Sequence, residues 1–495
     1  MVDGSDAPQR SSRHVHLDGR TLEGGGQLVR NAVALSALTG RPVTIDHVRG
    51  NRRGKTGLKS SHAAAIKLLA EISGSKIPDG RVGAQSVTFE PQSSSGHGAV
   101  EDTTTPDSLL VPLSNLTIKP EYDIRLATPG SAFLIFQALY PYLLHVGSQA
   151  AVDCIRLTIT GGTNGSHSLS YDYAVQVMAP NFARLGLPPL SIALHKRGWS
   201  TGPVGMGSVI FSIYPFETPG CKNREPNDRG KNPSDNEAAE PPVTTESRFP
   251  QIDIMKYQRG KITKIDLTVL ATDSTVDGER LPLRKYVEQT ARKALRQALA
   301  TVDPSMFETL SNLNISTDEV HGGKSDQKYS LPIAIHTSEP TSHVSRLYLL
   351  IVAHTSTGFR IGHDGLLENI KSHKPDKKKH KNVKKNRPQR DKGGGQQHSE
   401  LSRISELIEQ CVEGFRAELS DEPVTHMKQP PHPAAGNRSP LDAHMRDQIV
   451  VFEALGSLGR PRAGPAIPED ERFWTLHTQT AQWVCRRMLG PLQEE

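Results

Sequence analysis

Apolar residues along this chain fall into short blocks whose period switches between two and about 3.6 residues, the pattern of strands alternating with helices. Residues 16–40, HLDGRTLEGGGQLVRNAVALSALTG, read as a strand, a glycine-rich turn and an amphipathic helix. Leu28, Ala32, Leu35 and Leu38 recur at helical spacing, predicting one stripe that faces a core. PVTIDHV then reads as a strand, AAAIKLLAEISG as a helix closed by Gly74, and SVTFEP as a third strand. The same plan follows again in DIRLATPGSAFLIFQALYPYLLHVG, CIRLTIT, a helix near Tyr173 to Leu185, and LSIALH. Two such units favour a repeated architecture over a single doubly wound sheet.

KRGWSTGPVGMGSVIFSIYP is a glycine-laced crossing followed by a strand, expected to open a third unit. A separate module begins at KITKIDLTVLA and continues through the helix LRKYVEQTARKALRQALA and the strands SLPIAIHT and RLYLLIVAHT. The amphipathic helix SELSRISELIEQCVEGFRAEL closes it. LDAHMRDQIVVFEALGSLG then predicts a helix, RFWTLH a strand and TQTAQWVCRRML a last helix. The expected organisation is a disordered leader at 1–13 and the first part of one domain at 14–216. An insert domain follows at 217–436, and the first domain finishes at 437–495. Residues 219–247 and 371–398 of the insert, polar and basic in turn, are expected to be disordered.

Composition changes this picture in three places. Hydrophobic residues are 35% of the chain and the mean hydropathy is −0.46, low values that fit polar insertions. The net charge of +6 is local: residues 371–392 hold eleven Lys or Arg against Asp376 and Asp391, a net of +9, so the rest carries −3. Such a tract suits a nuclear address, read by an import receptor, or a non-specific RNA tether. Cys154, Cys221, Cys411 and Cys485 form no CxxC pair, which argues against a zinc module or disulfide framework and for a reducing compartment. No apolar run reaches the length of a membrane span, and residues 1–14 have no signal-peptide core, so a soluble intracellular chain is expected.

Candidate chemistry lies in the turns. Glu23, Gly24, Gly25, Gly26 and Gln27 precede a helix N-terminus, where free N–H groups favour an anion. The loop RGNRRGKTGLKSSH holds Arg49, Arg52, Arg53 and Lys55 before His62. These segments occur in order with TPGS, GGTN, an RG…G crossing, RDQ and TLHTQTA. Together they resemble the RNA 3′-terminal phosphate cyclase family, from about His14 to Leu489.

The resemblance implies an α/β (α+β) fold, with repeated βαβαββ units forming the catalytic domain and a smaller inserted α/β domain. It implies an enzyme that makes an RNA 3′-terminal phosphate into a 2′,3′-cyclic phosphate, using ATP and Mg²⁺ or Mn²⁺. His477 would be the nucleophile, forming a covalent histidine–AMP that passes its AMP to the RNA end. A neutral imidazole suits this role because it attacks without prior deprotonation. Glu23 is implied as a nucleotide and metal ligand. Gln27, Arg30, Arg49, Arg53, Asp447 and Gln448 are implied as nucleotide-binding. From residue type alone, Asp447 is expected to hold the reactive tautomer of His477. Departures from the family's pattern include His444 where an aromatic residue packs on adenine, Ser168-Leu169 after GGTN, and His363-Asp364 in place of a Lys-Arg pair. A branch without the histidine and the EGGGQ glutamate serves pre-ribosomal RNA processing as a binding factor. This chain keeps Glu23, Asp447 and His477, which favours the enzyme; nuclear residence and no membrane partner are expected.

Overall fold

The computed structural model describes residues 14–52, 54–92, 110, 118–150, 152–166, 168–216, 248–308, 331–367, 399–420, 439–460 and 474–490. The leader, the stretch 219–247, the basic tract and Arg53 lie outside them. The architecture is α+β, with three sheets among the described residues and the helices that cover them.

In the first unit β1 (Val15–Asp18) runs parallel to β2 (Val43–Asp46), and β2 pairs antiparallel with β3 (Val87–Phe89). Two helices link them, α1 (Gly26–Thr39) and α2 (Ser60–Ser73), each ending at a glycine with left-handed backbone. The second unit runs β4 (Glu121–Arg125), α3 (Ala132–Gln149), β5 (Ile155–Gly161), α4 (Tyr171–Tyr173), α5 (Ala179–Arg184), β6 (Leu190–Lys196) and β7 (Gly207–Ile213). The order in its sheet is β4-β5-β7-β6. The strand after the glycine crossing therefore does not open a third unit; β7 lies between β5 and β6 and completes the second. Between α4 and α5 the helix widens to a π turn, Ala174–Met178. Pro180 follows at once; it has no N–H to donate back and its ring crowds the carbonyl four residues earlier, so the coil opens.

The inserted module contains β8 (Ile262–Ala271), α6 (Leu283–Leu299), β9 (Ile333–Pro340), β10 (Tyr348–Thr355), β11 (Arg360–Leu366) and α7 (Glu400–Leu419). Its sheet has the order β11-β10-β8-β9. Alternate residues serve two cores. Ile265, Leu267 and Val269 with Leu349, Ile351 and Ala353 share a core with the α6 and α7 side chains. Leu270, Tyr348, Leu350 and Val352 join the main core of the two units. That double burial explains the continuous apolar run Tyr348–Ala353 of β10, both of whose faces are buried. It also fixes the insert against the second unit, where Gln176 donates to Thr268 at 2.9 Å and Asn181 donates to the Arg360 carbonyl at 2.8 Å.

The chain returns through α8 (Ala443–Gly456) and α9 (Leu476–Leu489). α1 packs on α2, α3 and α9 at once, so Leu28, Val29, Val33, Ala34, Leu35 and Leu38 are all buried. The expected single stripe is instead burial around nearly the whole helix, because three neighbours surround it. RFWTLH differs too. Trp474 and Thr475 are not in a strand, and Thr475 caps α9 by accepting the Thr478 N–H at 3.0 Å. His477 therefore sits in the first turn of a helix.

Candidate active site

The N-termini of α1, α8 and α9 meet beside a cavity of about 620 Å³. Gln27 and Arg30 of α1, Gln137 of α3, His444, Asp447 and Gln448 of α8, and His477 of α9 line one side. The insert supplies the opposite wall from Tyr348, His363, Asp364, Glu406 and Gln410.

The glycine turn is shaped by what touches it. Gly24 has φ +58°, and the loops before and after it pack tightly, Asn51 donating to the Leu22 carbonyl at 2.7 Å. A methyl group on Gly25 would fall on the Glu23 carboxylate, and one on Gly26 on the His62 ring. Leu22, His47 and Arg49 have φ of 53°, 50° and 58°, three of the four non-glycine residues with left-handed backbone among the described residues. All three lie in the two loops that meet here, the kind of strain that collects at functional sites.

His477 is held from α1. Its Nδ1 is 2.9 Å from Gln27 Oε1 and 3.6 Å from Glu23 Oε2. The Gln27 amide donates through Nε2 to the Asp447 carbonyl at 3.4 Å, which turns Oε1 toward the imidazole. An amide oxygen only accepts, so Nδ1 carries the proton and Nε2 keeps its lone pair. The side chain is 44% exposed and lines the cavity. Asp447 takes another part. Its Oδ1 accepts from Thr475 at 2.8 Å and from Thr478 at 2.5 Å, so it orders the start of α9 while Gln27 sets the tautomer. Burial pushes the Asp447 pKa up, against the opposing effects of Thr478 and His477.

Glu23 is buried, receives the Arg52 guanidinium in an ion pair, and its N–H donates to Thr480 Oγ1 at 3.2 Å. Arg30 lines the cavity, and burial pushes its pKa down to about 10, so it stays cationic at neutral pH. Arg49 turns into its own loop and donates from Nη1 to the Lys55 carbonyl at 2.8 Å. Gln448 accepts from Gln137 at 2.6 Å across the cavity wall. Arg53 lies outside the described residues, and Arg52, a candidate in the sequence but not the preferred one, is the loop arginine that pairs with Glu23. His62 packs under the turn; burial and then Arg30, Arg49 and Lys59 hold its pKa well below the histidine range. His444, at the position implied for a base-stacking aromatic, faces a different balance. Burial alone would lower its pKa, but Asp364, Asp442, Asp447 and Glu418 raise it.

Sequence reading missed the partnership of Gln27 with His477, the Thr475 and Thr478 hydroxyls on Asp447, and the wall contributed by α7 and β11. Only the threonines had a local signal, as helix-capping residues before HTQTA. Among the described residues no group of three or more His, Cys, Asp or Glu is set to hold a metal ion by itself. A cation here would bind Glu23 together with phosphate oxygens, a mode usual for magnesium.

A family model described as RNA 3′-terminal phosphate cyclase matches residues 21–492. Relatives called RNA 3′-terminal phosphate cyclase include one from Koribacter versatilis, 32% identical over 215 residues, covering 43% of this chain and 51% of the relative. Another, from Caldivirga maquilingensis, is 34% identical over 203 residues, 41% of this chain and 48% of the relative. A third, from Pyrococcus furiosus, is 32% identical over 200 residues, 40% of this chain and 49% of the relative. The chain spans about half the length of the curated relatives it matches. With a match that runs through the glycine turn, the insert and the His477 helix alike, this chain belongs to the RNA 3′-terminal phosphate cyclase family.

Proposed function

We propose that this protein converts an RNA 3′-terminal phosphate to a 2′,3′-cyclic phosphate at the expense of ATP, with His477 as nucleophile. The observation that carries this reading is the 2.9 Å contact between His477 Nδ1 and Gln27 Oε1, which leaves Nε2 unprotonated on a cavity wall. His477 Nε2 attacks the α-phosphorus of ATP; the N–P bond forms as the P–O bond to pyrophosphate breaks. The imidazole gains positive charge as it does so, and Glu23, with Oε2 3.6 Å from Nδ1, stabilises it. Arg30 and the N–H groups at the start of α1, whose cap residue Gly25 offers no side-chain acceptor, meet the negative charge of the phosphates. An RNA 3′-phosphate oxygen then attacks the AMP phosphorus, the new O–P bond forming as the N–P bond to His477 breaks. The neighbouring 2′-OH attacks the phosphorus of the RNA 3′-phosphate, loses its proton to solvent and expels AMP, closing the ring. A divalent cation between Glu23 and the phosphates would supply further charge neutralisation.

The alternative, a non-catalytic RNA- or protein-binding factor in pre-ribosomal RNA processing, requires neither a set tautomer nor a buried carboxylate beside the imidazole. The test is autoadenylation with α-labelled ATP and magnesium. Label on the protein that is lost in mild acid, survives alkali and is absent in His477→Ala is the expected result. Well-folded protein that takes no label across metals and pH would sink the enzyme reading. The basic tract at 371–392 is assigned to nuclear import or RNA tethering. A tagged chain lacking it should lose nuclear accumulation, and unchanged distribution would remove that role.

A further inference from the structure

Helix α6 shows one sign of charge to water. Lys285, Gln289, Lys293, Arg296 and Gln297 are exposed and Arg292 is half-buried beside them, while Leu283, Val287, Ala291 and Leu295 face the core of the insert. The helix has a single carboxylate, and the fold turns it inward. Glu288 is buried, accepts from Ser338 Oγ of β9 at 2.5 Å and from Lys285 Nζ at 2.9 Å, and lies 3.9 Å from Arg284. Arg284 also pairs with Asp273 at 2.8 Å. Arg292, Lys293 and Arg296 have no carboxylate within ion-pair distance among the described residues, and Arg292 Nε is buried without a hydrogen-bond partner.

This face departs from the balance of the chain. Outside 371–392 the sequence nets −3, and a solvated helix face ordinarily interleaves both signs. The neighbouring α7 does so: Glu400, Glu406, Glu409 and Glu413 alternate with Arg403 and Arg416, and Arg416 pairs with Glu413 at 2.6 Å. α6 and α7 pack side by side, with Tyr286 Oη 3.1 Å from Ser405 Oγ. α7 in turn walls the cavity through Arg403, Glu406 and Gln410. The outward face of α6 is therefore one helix away from the cavity that holds His477.

We propose that this face of α6 binds the phosphate backbone of the RNA whose 3′ end enters the cavity, with Arg292, Lys293 and Arg296 as the phosphate contacts. The inference rests on the RNA reading of the cavity and adds a second place of attachment, away from the chemistry. Guanidinium groups make charge-assisted, bidentate pairs with phosphate, and glutamine amides donate to the same oxygens. No aromatic ring stands on the exposed face, so it offers a base nothing to stack on and reads backbone in place of sequence.

The experiment is fluorescence anisotropy of the full chain with a short and a long single-stranded RNA, each ending in a 3′-phosphate, across a salt series. Wild type is compared with Arg292→Gln/Lys293→Gln/Arg296→Gln and with a control, Lys67→Gln/Lys76→Gln, which removes two exposed lysines of the first unit. For the long RNA the triple variant should flatten the slope of log affinity against log salt by about 2, at about 0.7 per phosphate contact. Binding at low salt should weaken roughly tenfold or more, since the lost contacts are electrostatic. The short RNA should bind the triple variant as it binds wild type. An unchanged slope in the triple variant overturns the proposal, as does an equal change in the control or equal weakening of the short RNA. Failure of wild type to bind the long RNA overturns it as well. Poly-glutamate that displaces the long RNA as well as unlabelled RNA does would assign the face to acidic protein and overturn it too. Autoadenylation should survive in the triple variant, because these side chains do not line the cavity. A flattened slope in a protein that takes no label would refute the enzyme and leave this inference standing; labelling with an unaltered slope would do the reverse.

Discussion

Gln27 Oε1, at 2.9 Å from His477 Nδ1, gives the imidazole its orientation and its tautomer from a different helix. A glutamine in this place orients the ring as a carboxylate would, without adding charge. Gln27→Leu removes the acceptor and frees the ring to turn. In single-turnover labelling it should lose about a hundredfold in rate, the scale expected when a reacting group is displaced by an ångström. Nucleotide affinity should change much less. Gln27→Glu restores an acceptor and should recover most of the rate while shifting its pH profile, whereas equal failure of both variants would point to a merely structural glutamine. Glu23 is kept at the site by its ion pair with Arg52.

At the scale of elements, the turn before α1 is constrained at each glycine for a separate reason. Gly24 takes left-handed backbone, Gly25 makes room for the Glu23 carboxylate, and Gly26 lies against the His62 ring. A side chain at Gly25 acts on Glu23 before it acts on the helix, whose cap makes no side-chain hydrogen bond. Gly25→Ala should therefore cost about 1–3 kcal/mol in denaturant unfolding, as overpacking does, and it should reduce His477 labelling by more than that stability loss explains. Normal labelling by Gly25→Ala would show that Glu23 can move without consequence. The start of α9 is arranged similarly, since Thr475 and Thr478 both donate to Asp447 and so tie α9 to α8 beside His477.

Across the whole molecule, the inserted module meets the second unit and α8 at buried carboxylates. Asp442, the α8 cap, accepts from Tyr173 O–H at 2.5 Å, Gly362 N–H at 2.8 Å and Met445 N–H at 2.8 Å, joining the second unit, β11 and α8. Glu418 of α7 accepts the Ala443 N–H at 3.1 Å; burial, then repulsion from Asp442, pushes its pKa from 4.5 to about 7. The folded chain thus holds this proton more tightly than the unfolded one. Its stabilising contribution is complete below about pH 4.5 and is lost as pH rises through 7. His363 runs the other way, since burial lowers its pKa to about 4 and its contribution falls away as the pH drops below the usual histidine value of 6.5. Comparing wild type with Glu418→Gln isolates the carboxylate: the variant should gain melting temperature relative to wild type above pH 7 and not below pH 5. A constant difference across pH would show that Glu418 does not titrate in this window.

The sequence by itself determined the local elements and their order. Period and capping were enough for the two repeated units, the insert with its amphipathic α6 and α7, and the turn from Glu23 to Gln27, because short-range sterics and hydrogen bonding set them. The ordered motifs also placed Glu23, Gln27, Arg30, Arg49, Arg53, Asp447, Gln448 and His477 in one candidate site; in the fold Gln27, Arg30, Asp447, Gln448 and His477 line a common cavity and Glu23 lies 3.6 Å from His477, while Arg49 turns into its own loop and Arg53 is outside the described residues. What only the tertiary structure decided was pairing over long separations. No local rule could put Gln27 against His477, place Arg52 on Glu23, or seat β7 inside the second sheet. Nor could the period of α1 foretell burial on nearly every side, because α2, α3 and α9 reach it only in the packed chain. Those choices depend on which surfaces exclude water from one another, a property of the packed chain that its local pattern does not carry.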